Sequence, residues 1–174
     1  FTVHFDQQNA QGDQSNLKTI ASRFKSEKPK LICAIATPAA QAVANEIKDI
    51  PIVGTAITDY TTAKLVKNDE KPGGNVTGVS DLASIDAQMD LGRALVPNAK
   101  TVGLIYSSSE VNSEVQANMM KDYCKKNNLA VEERTVNSVN DIQQVAESLA
   151  GKVDFIYVPT DNTLASSIPT LMKV

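Results

Sequence analysis

Few side chains in this sequence can do covalent chemistry. There is one histidine, His4, and there are two cysteines, Cys33 and Cys124. No Gly-x-Ser-x-Gly elbow, Cys-x-x-Cys pair or His-Glu-x-x-His motif is present. A nucleophile–base pair would have to be drawn from His4, Cys33 and Cys124. Both cysteines fall in apolar patterns and read as core thiols, and a lone histidine in a strand pattern reads as structural. The glycine-rich stretch Pro72–Gly78 (PGGNVTG) lacks the Gly-Lys-Ser/Thr end of a phosphate loop and precedes a strand rather than a helix. Asp59, Asp81, Glu110 and Asp161 sit at strand ends without the spacing of a calcium loop. Neither a metal nor a cofactor is expected, and an enzyme is disfavoured.

What remains is binding chemistry. Gln8, Asn9, Thr37, Ser80, Ser107, Ser108, Ser109, Asn112, Thr160 and Asn162 all fall at junctions between elements. Taken singly, each reads as a helix cap or turn residue. Repeated along one edge, they suit a polar small-molecule cleft. Thr37 reads as an N-cap and Pro38 as the first helical residue, which leaves backbone N–H groups near Thr37–Ala39 for an anion. An acid such as Asp161 or Asp81 would take an ammonium, so the arrangement suits a zwitterion.

The elements that must position these groups alternate. Leu31–Ala36 is an apolar run that reads as a strand buried on both faces. Similar runs at Val102–Asn112 and Val153–Thr163 also end in small polar residues before a helix. Phe1–Phe5, Pro51–Ile57, Val76–Ser80 and Leu129–Thr135 are further strand candidates. Helical spacing marks Leu17, Ile20, Ala21 and Phe24; Ala40, Val43, Ala44 and Ile47; Ile85, Met89 and Leu95; Val115, Met119 and Tyr123; and Ile142, Val145, Ala146 and Leu149. Ser84 can cap one helix, and Ser138 with Asp141 resembles a capping box. Pro169 predicts a kink or early stop in the last helix. Strand–helix alternation predicts parallel sheets flanked by helices, with ligands beyond the carboxyl ends of the strands.

The totals agree. The chain has 174 residues, enough for one ordinary domain or two small ones, and 42% of them are hydrophobic, enough for a core. Net charge is −3, no basic block stands out and there is no Trp, so nucleic acid is not expected as a partner. No run is long and apolar enough to span a membrane, and no signal segment is seen. The first residues read as a strand and the last end within a helix pattern, as in a piece of something longer.

Four stretches, taken in order, resemble the ABC-transporter substrate-binding protein family, and its branch of tryptophan- and tyrosine-binding lipoproteins in particular. They are Gln8–Asp13 (QNAQGD), Ala36–Ala42 (ATPAAQA), Pro72–Asp81 (PGGNVTGVSD) and Tyr157–Thr163 (YVPTDNT). The resemblance implies a type I periplasmic-binding-protein fold: two Rossmann-like α/β lobes with parallel sheets flanked by helices, here incomplete at both ends. Residues 1–79 would form part of the first lobe, 80–83 the hinge crossing and 84–174 part of the second lobe. It also implies an extracytoplasmic protein that hands a small α-amino acid, with tryptophan, tyrosine and phenylalanine as the candidates, to a membrane permease. Carried over by motif, Thr37, Pro38 and Ala39 would contact the ligand from the first lobe with Asn9 nearby. Ser80 and Asp81 would lie at the crossing, and Ser108, Glu110, Asn112, Thr160, Asp161 and Asn162 would contribute from the second lobe. A sugar or nucleoside ligand on the same fold is the alternative, and a doubly wound enzyme a more distant one.

Overall fold

The computed structural model describes residues 2–174. The chain divides into two compact units, Phe1–Ser80 and Asp81–Val174. Among the described residues no helix is long and apolar enough to cross a membrane.

In the first unit, helix α1 spans Gln14–Glu27. Asp13 starts it by accepting from the N–H groups of Ser15 (2.7 Å) and Asn16 (3.1 Å), which satisfies donors that have no partner within the helix. Lys28 ends it in the left-handed conformation, donating its N–H to Phe24. Strand β1 (Ile32–Ile35), helix α2 (Thr37–Glu46) and strands β2 (Ile52–Ile57) and β3 (Val76–Ser80) follow. The sheet order is β1-β2-β3, all parallel. Ile32, Ile52 and Val76 stand in one register row and are all buried. α2 packs on β1 and β2, and α1 packs on α2.

Two expectations fail here. β1 is buried on one face only: Ile32 and Ala34 are inside, whereas Cys33 is exposed and Ile35 is 64% exposed. Leu31 and Val79 extend the same open apolar surface. An uninterrupted apolar run cannot say whether helices cover one face or two, and within this unit α2 packs on one. Cys33 is therefore not a core thiol. The strand expected at Phe1–Phe5 is also absent: Phe1 lies outside the described residues, and residues 2–10 carry no helix or strand. An extended segment without a hydrogen-bonded neighbour is not a strand, and the sheet of this unit is built from β1, β2 and β3.

The second unit runs α3 (Ile85–Leu95), β4 (Thr101–Ser107), α4 (Val111–Lys126), β5 (Ala130–Val136), a 3₁₀ turn at Val139–Asp141, α5 (Ile142–Glu147), β6 (Phe155–Tyr157), α6 (Asn162–Ala165) and α7 (Ile168–Leu171). Its sheet has the order β5-β4-β6, again parallel. β4 is the central strand and is covered on both sides. Val102, Leu104 and Tyr106 pack with Ile85, Met89, Met120 and Tyr157. Ile105 packs with Val136, Ile142, Leu149 and Leu164. Ser84 caps α3 and the Ser138–Asp141 capping box forms, as the residue types require. Pro169 does break the last helix: α6 and α7 are separate, with the proline in the first turn of α7. The stripe expected on α3 is only partly inside, since Leu95 is 75% exposed. Cys124 is buried, as expected.

Two packing details carry testable consequences. The Tyr60 ring, itself buried, lies over two glycines of adjacent strands, and its hydroxyl donates to the Val79 carbonyl at 3.2 Å. A Cβ on Gly78 would stand 2.1 Å from both the Tyr60 hydroxyl and the Gly54 carbonyl oxygen. Gly78→Ala is therefore expected to destabilise by more than about 2 kcal/mol in urea unfolding; wild-type stability would show that no such contact exists. The Tyr157 hydroxyl is buried with no hydrogen-bond partner, and burial pushes its pKa up to about 12. Tyr157→Phe removes that unpaired group and is expected to hold or raise the unfolding midpoint, with a gain of up to about 1 kcal/mol. A clear loss would reveal a partner for the hydroxyl.

Candidate binding edges

Each sheet presents its carboxyl-end edge through a strand-to-helix turn. In the first unit that turn is strained. Ala36 occupies the N-cap position of α2 with φ 78° and ψ 150° and supplies no side-chain cap. This backbone region is essentially reserved for glycine and costs about 1–3 kcal/mol for other residues. The turn is held by the Ala36 N–H donating to the Thr55 carbonyl (3.0 Å) and by the Ala40 N–H donating to the Ala36 carbonyl (3.1 Å). Thr37 is thus the first helical residue rather than the cap, and it is 2% exposed. Pro38 follows within the first turn. An uncapped start leaves the N–H groups of the first turn without partners in the helix. On the neighbouring strand, Ala56 also has positive φ, 53°, where the β2–β3 register shifts between Gly54 and Ile57.

The other nominated residues of this unit are placed less decisively. Asn9 is exposed and its side-chain oxygen accepts from the Gln11 N–H at 2.8 Å, forming a local turn. The Ser80 hydroxyl donates to the Thr58 carbonyl at 2.8 Å. Asp81, the first residue of the second unit, is exposed.

In the second unit five nominated residues converge. Glu110 stands at the N-cap position of α4 and is 4% exposed. Its carboxylate serves the other turn instead of its own: it accepts from the backbone N–H of Asn162 (3.0 Å) and of Thr163 (2.9 Å), and from both of their side chains. Asp161, 2% exposed, caps α6 through the Leu164 N–H (2.8 Å) and reaches back to the Ser107 N–H (2.6 Å) and the Ser113 hydroxyl (2.7 Å). The Asn112 amide donates to Glu110 (3.0 Å) and to the Thr160 carbonyl (2.9 Å). Gln116 grips Thr160 twice, accepting from its N–H at 2.8 Å and donating to its hydroxyl. Thr160 and Asn162 themselves remain exposed. Ser108 turns aside, its hydroxyl donating to Asn137 at 2.7 Å.

The two carboxylates are driven in opposite directions. Burial pushes the Glu110 carboxyl up, but the donors from Asn162, Asn112 and Thr163 outweigh it and hold the group below its ordinary range. Burial and the neighbouring Glu110 charge raise Asp161 despite the donors from Ser107, Leu164 and Ser113.

Sequence reasoning missed Ser113, Gln116 and Thr163. The available signal was the spacing of Asn112, Ser113 and Gln116, polar residues on what becomes the buried face of α4. The apolar stripe expected through Val115 and Met119 is rotated accordingly, and Met119 is 39% exposed. Among the described residues no group of three or more His, Cys, Asp or Glu could hold a metal. A surface depression of about 410 Å³ along α3 and α4, lined by Leu82–Asp86, Met119, Asp122, Tyr123 and Lys126, includes none of the nominated residues.

Glu110→Ala would orphan the donors on α6 and is expected to cost more than about 2 kcal/mol. Because the folded Glu110 pKa is depressed, its contribution is full above its unfolded value and is lost as pH falls through the folded one. Acid titration of unfolding midpoints should therefore be shallower in the variant than in wild type; parallel curves would contradict the assignment.

Comparison with known proteins completes the description. A family model for ABC transporter substrate binding proteins matches residues 2–174. A tyrosine-binding protein of Clostridioides difficile is 51% identical over 172 residues, 99% of this chain and 50% of its own length. The chain thus spans about half the length of this curated relative. The crystal structure of an ABC domain from Streptococcus pneumoniae in complex with L-Trp matches with a TM-score of 0.94 and 46% identity, over 97% of this chain and 57% of that one. A conserved domain protein of Vibrio cholerae matches with a TM-score of 0.95 and 39% identity, over 98% and 57%. With parallel sheets flanked by helices in each unit, this chain has the type I periplasmic-binding-protein fold and belongs to the ABC transporter substrate-binding protein family.

Proposed function

We propose that the protein is the extracytoplasmic solute-binding component of an ABC importer and that it binds a small α-amino acid with an aromatic side chain. The observation that carries this reading is the strained start of α2. A non-glycine residue held at φ 78° persists only where the surrounding structure enforces it, and such strain concentrates at ligand contacts. Here it aims an uncapped helix start, with buried Thr37 at its head, along the strand edge where ligands of open α/β sheets bind. A carboxylate suits those N–H groups. The ligand class is supported by the relatives, one a tyrosine-binding protein and one solved with L-Trp.

On this reading Thr37, Pro38 and Ala39 contact the ligand from the first unit, with Asn9 nearby. Ser80 and Asp81 lie at the hinge crossing, residues 80–83. Ser108, Glu110, Asn112, Thr160, Asp161 and Asn162 form the second edge. Closure of two lobes on the solute is the state offered to a membrane permease. The role is binding rather than catalysis, in keeping with the family. A sugar or nucleoside would require aromatic stacking faces, and only 5% of the residues are aromatic.

The test is a thermal-shift screen of the full-length protein against amino acids, sugars and nucleosides, followed by calorimetry. Tryptophan, tyrosine or phenylalanine is expected to raise the melting temperature by mass action. Thr37→Val should weaken that ligand more than about tenfold. A response to sugars or nucleosides alone would refute the ligand class, and unchanged affinity in Thr37→Val would refute the edge.

A further inference from the structure

The junction of α4 and α6 gathers two acids that have no cationic partner among the described residues. Glu110 and Asp161 are both buried. Among the described residues they accept from neutral groups: backbone N–H groups, the side-chain amides of Asn112 and Asn162, and the hydroxyls of Ser113 and Thr163. Among the described residues neither carboxylate forms a salt bridge; the ion pairs of the chain lie elsewhere. Buried charges are ordinarily paired with a cation or a metal.

Beside them is an unsatisfied acceptor. Asn112 is 4% exposed, and its Oδ1 has no hydrogen-bond partner among the described residues. The orientation of the amide is forced. Its Nδ2 faces the Glu110 carboxylate and the Thr160 carbonyl, both acceptors. Turning the amide over would set Oδ1 against two other oxygens. Asn112 Oδ1 is therefore a fixed, desolvated acceptor in a negative field. A buried acceptor without a donor costs about 1–3 kcal/mol, which a matching donor would recover.

We infer that this junction receives the cationic N–H group of the ligand, with Asn112 Oδ1 as the specificity-determining contact and Glu110 and Asp161 as positioning residues that supply the field. The inference rests on the amino-acid reading above and adds which end of the ligand the second unit recognises. It also divides the labour among the acids. Glu110 and Asp161 hold the helix starts and act on the ligand through Asn112 and through space. The exposed Thr160 and Asn162 join the buried cluster to the surface on the α6 side, through their bonds to Asn112, Gln116 and Glu110.

The experiment is calorimetry on the full-length protein with L-tyrosine and L-tryptophan and with their des-amino counterparts, 3-(4-hydroxyphenyl)propionate and indole-3-propionate. Wild type is expected to prefer the amine-bearing ligand by at least about a hundredfold, as sites built around a polar contact do. Asn112→Leu should weaken the amino acid alone, leave the des-amino acid unchanged, and so collapse that preference. A preference that survives in Asn112→Leu, or none in wild type, overturns the inference. Because Asn112→Leu also removes donors from Glu110 and Thr160, a crystal structure of the unmutated protein with bound amino acid provides a second measure that needs no variant. The ligand nitrogen within hydrogen-bond distance of Asn112 Oδ1 upholds the inference. A water there, with the ligand nitrogen elsewhere, overturns it. If wild type binds no aromatic amino acid, the underlying reading falls as well; if it binds one and these contacts fail, this inference alone falls.

Discussion

Two buried carboxylates knit two strand-to-helix turns together. Glu110 heads α4 but neutralises the free donors of α6, while Asp161 heads α6 and reaches back to the end of β4 and the first turn of α4. Each acid serves backbone about 50 residues away in sequence. These bonds tie the turns after β4 and β6 to one another, since neither can move without orphaning donors in the other. Charge-assisted bonds of this kind are worth about 1.5–3 kcal/mol each, which is how two acids can be buried side by side. The surrounding polar grip of Asn112 and Gln116 on Thr160 depends on those bonds being in place.

The sequence carried much of this fold. Strand ends, the Ser84 cap, the Ser138–Asp141 box and the break at Pro169 were legible because each is a local signal written in side-chain chemistry. What was not legible was set by tertiary context. The run Leu31–Ala36 reads the same whether one face or two are covered, so Cys33 was misplaced. The apolar stripe on α4 misled because the buried face of its first two turns is polar, through Asn112, Ser113 and Gln116. Thr37 was read one position off because a non-glycine residue with positive φ at Ala36 has no sequence signature. For the candidate edges, the sequence points to Glu110, Asn112, Thr160, Asp161 and Asn162, which the fold brings together in the second unit, but not to their partners Ser113, Gln116 and Thr163. That Glu110 spends its oxygens largely on α6, while Asp161 divides its own between α6, the end of β4 and Ser113, follows only from three-dimensional proximity.

The two edges differ in kind. The first is backbone chemistry, an uncapped helix start aimed by a strained residue. The second is side-chain chemistry, a preformed network with one acceptor left over. Taken each by itself, the first edge has the chemistry to receive an anion and the second has the chemistry to receive a hydrogen-bond donor. Preorganisation of this sort lowers the entropy lost when a solute is held.

The contact of Tyr60 with Gly54 and Gly78 has an evolutionary reading. The aromatic ring can occupy its place only while both strands present bare backbone beneath it, because a methyl at either glycine would meet the ring or its hydroxyl at under 3 Å. Positions 54 and 78 are therefore held together for as long as Tyr60 is kept. In a lineage where the tyrosine shrinks, position 54 is left with only the flexible Ile57 side chain in its way, whereas position 78 still faces the Gly54 carbonyl oxygen 2.1 Å from where a Cβ would stand. The glycine of β3 is thus the slower of the two to drift, because backbone and not the ring sets its limit.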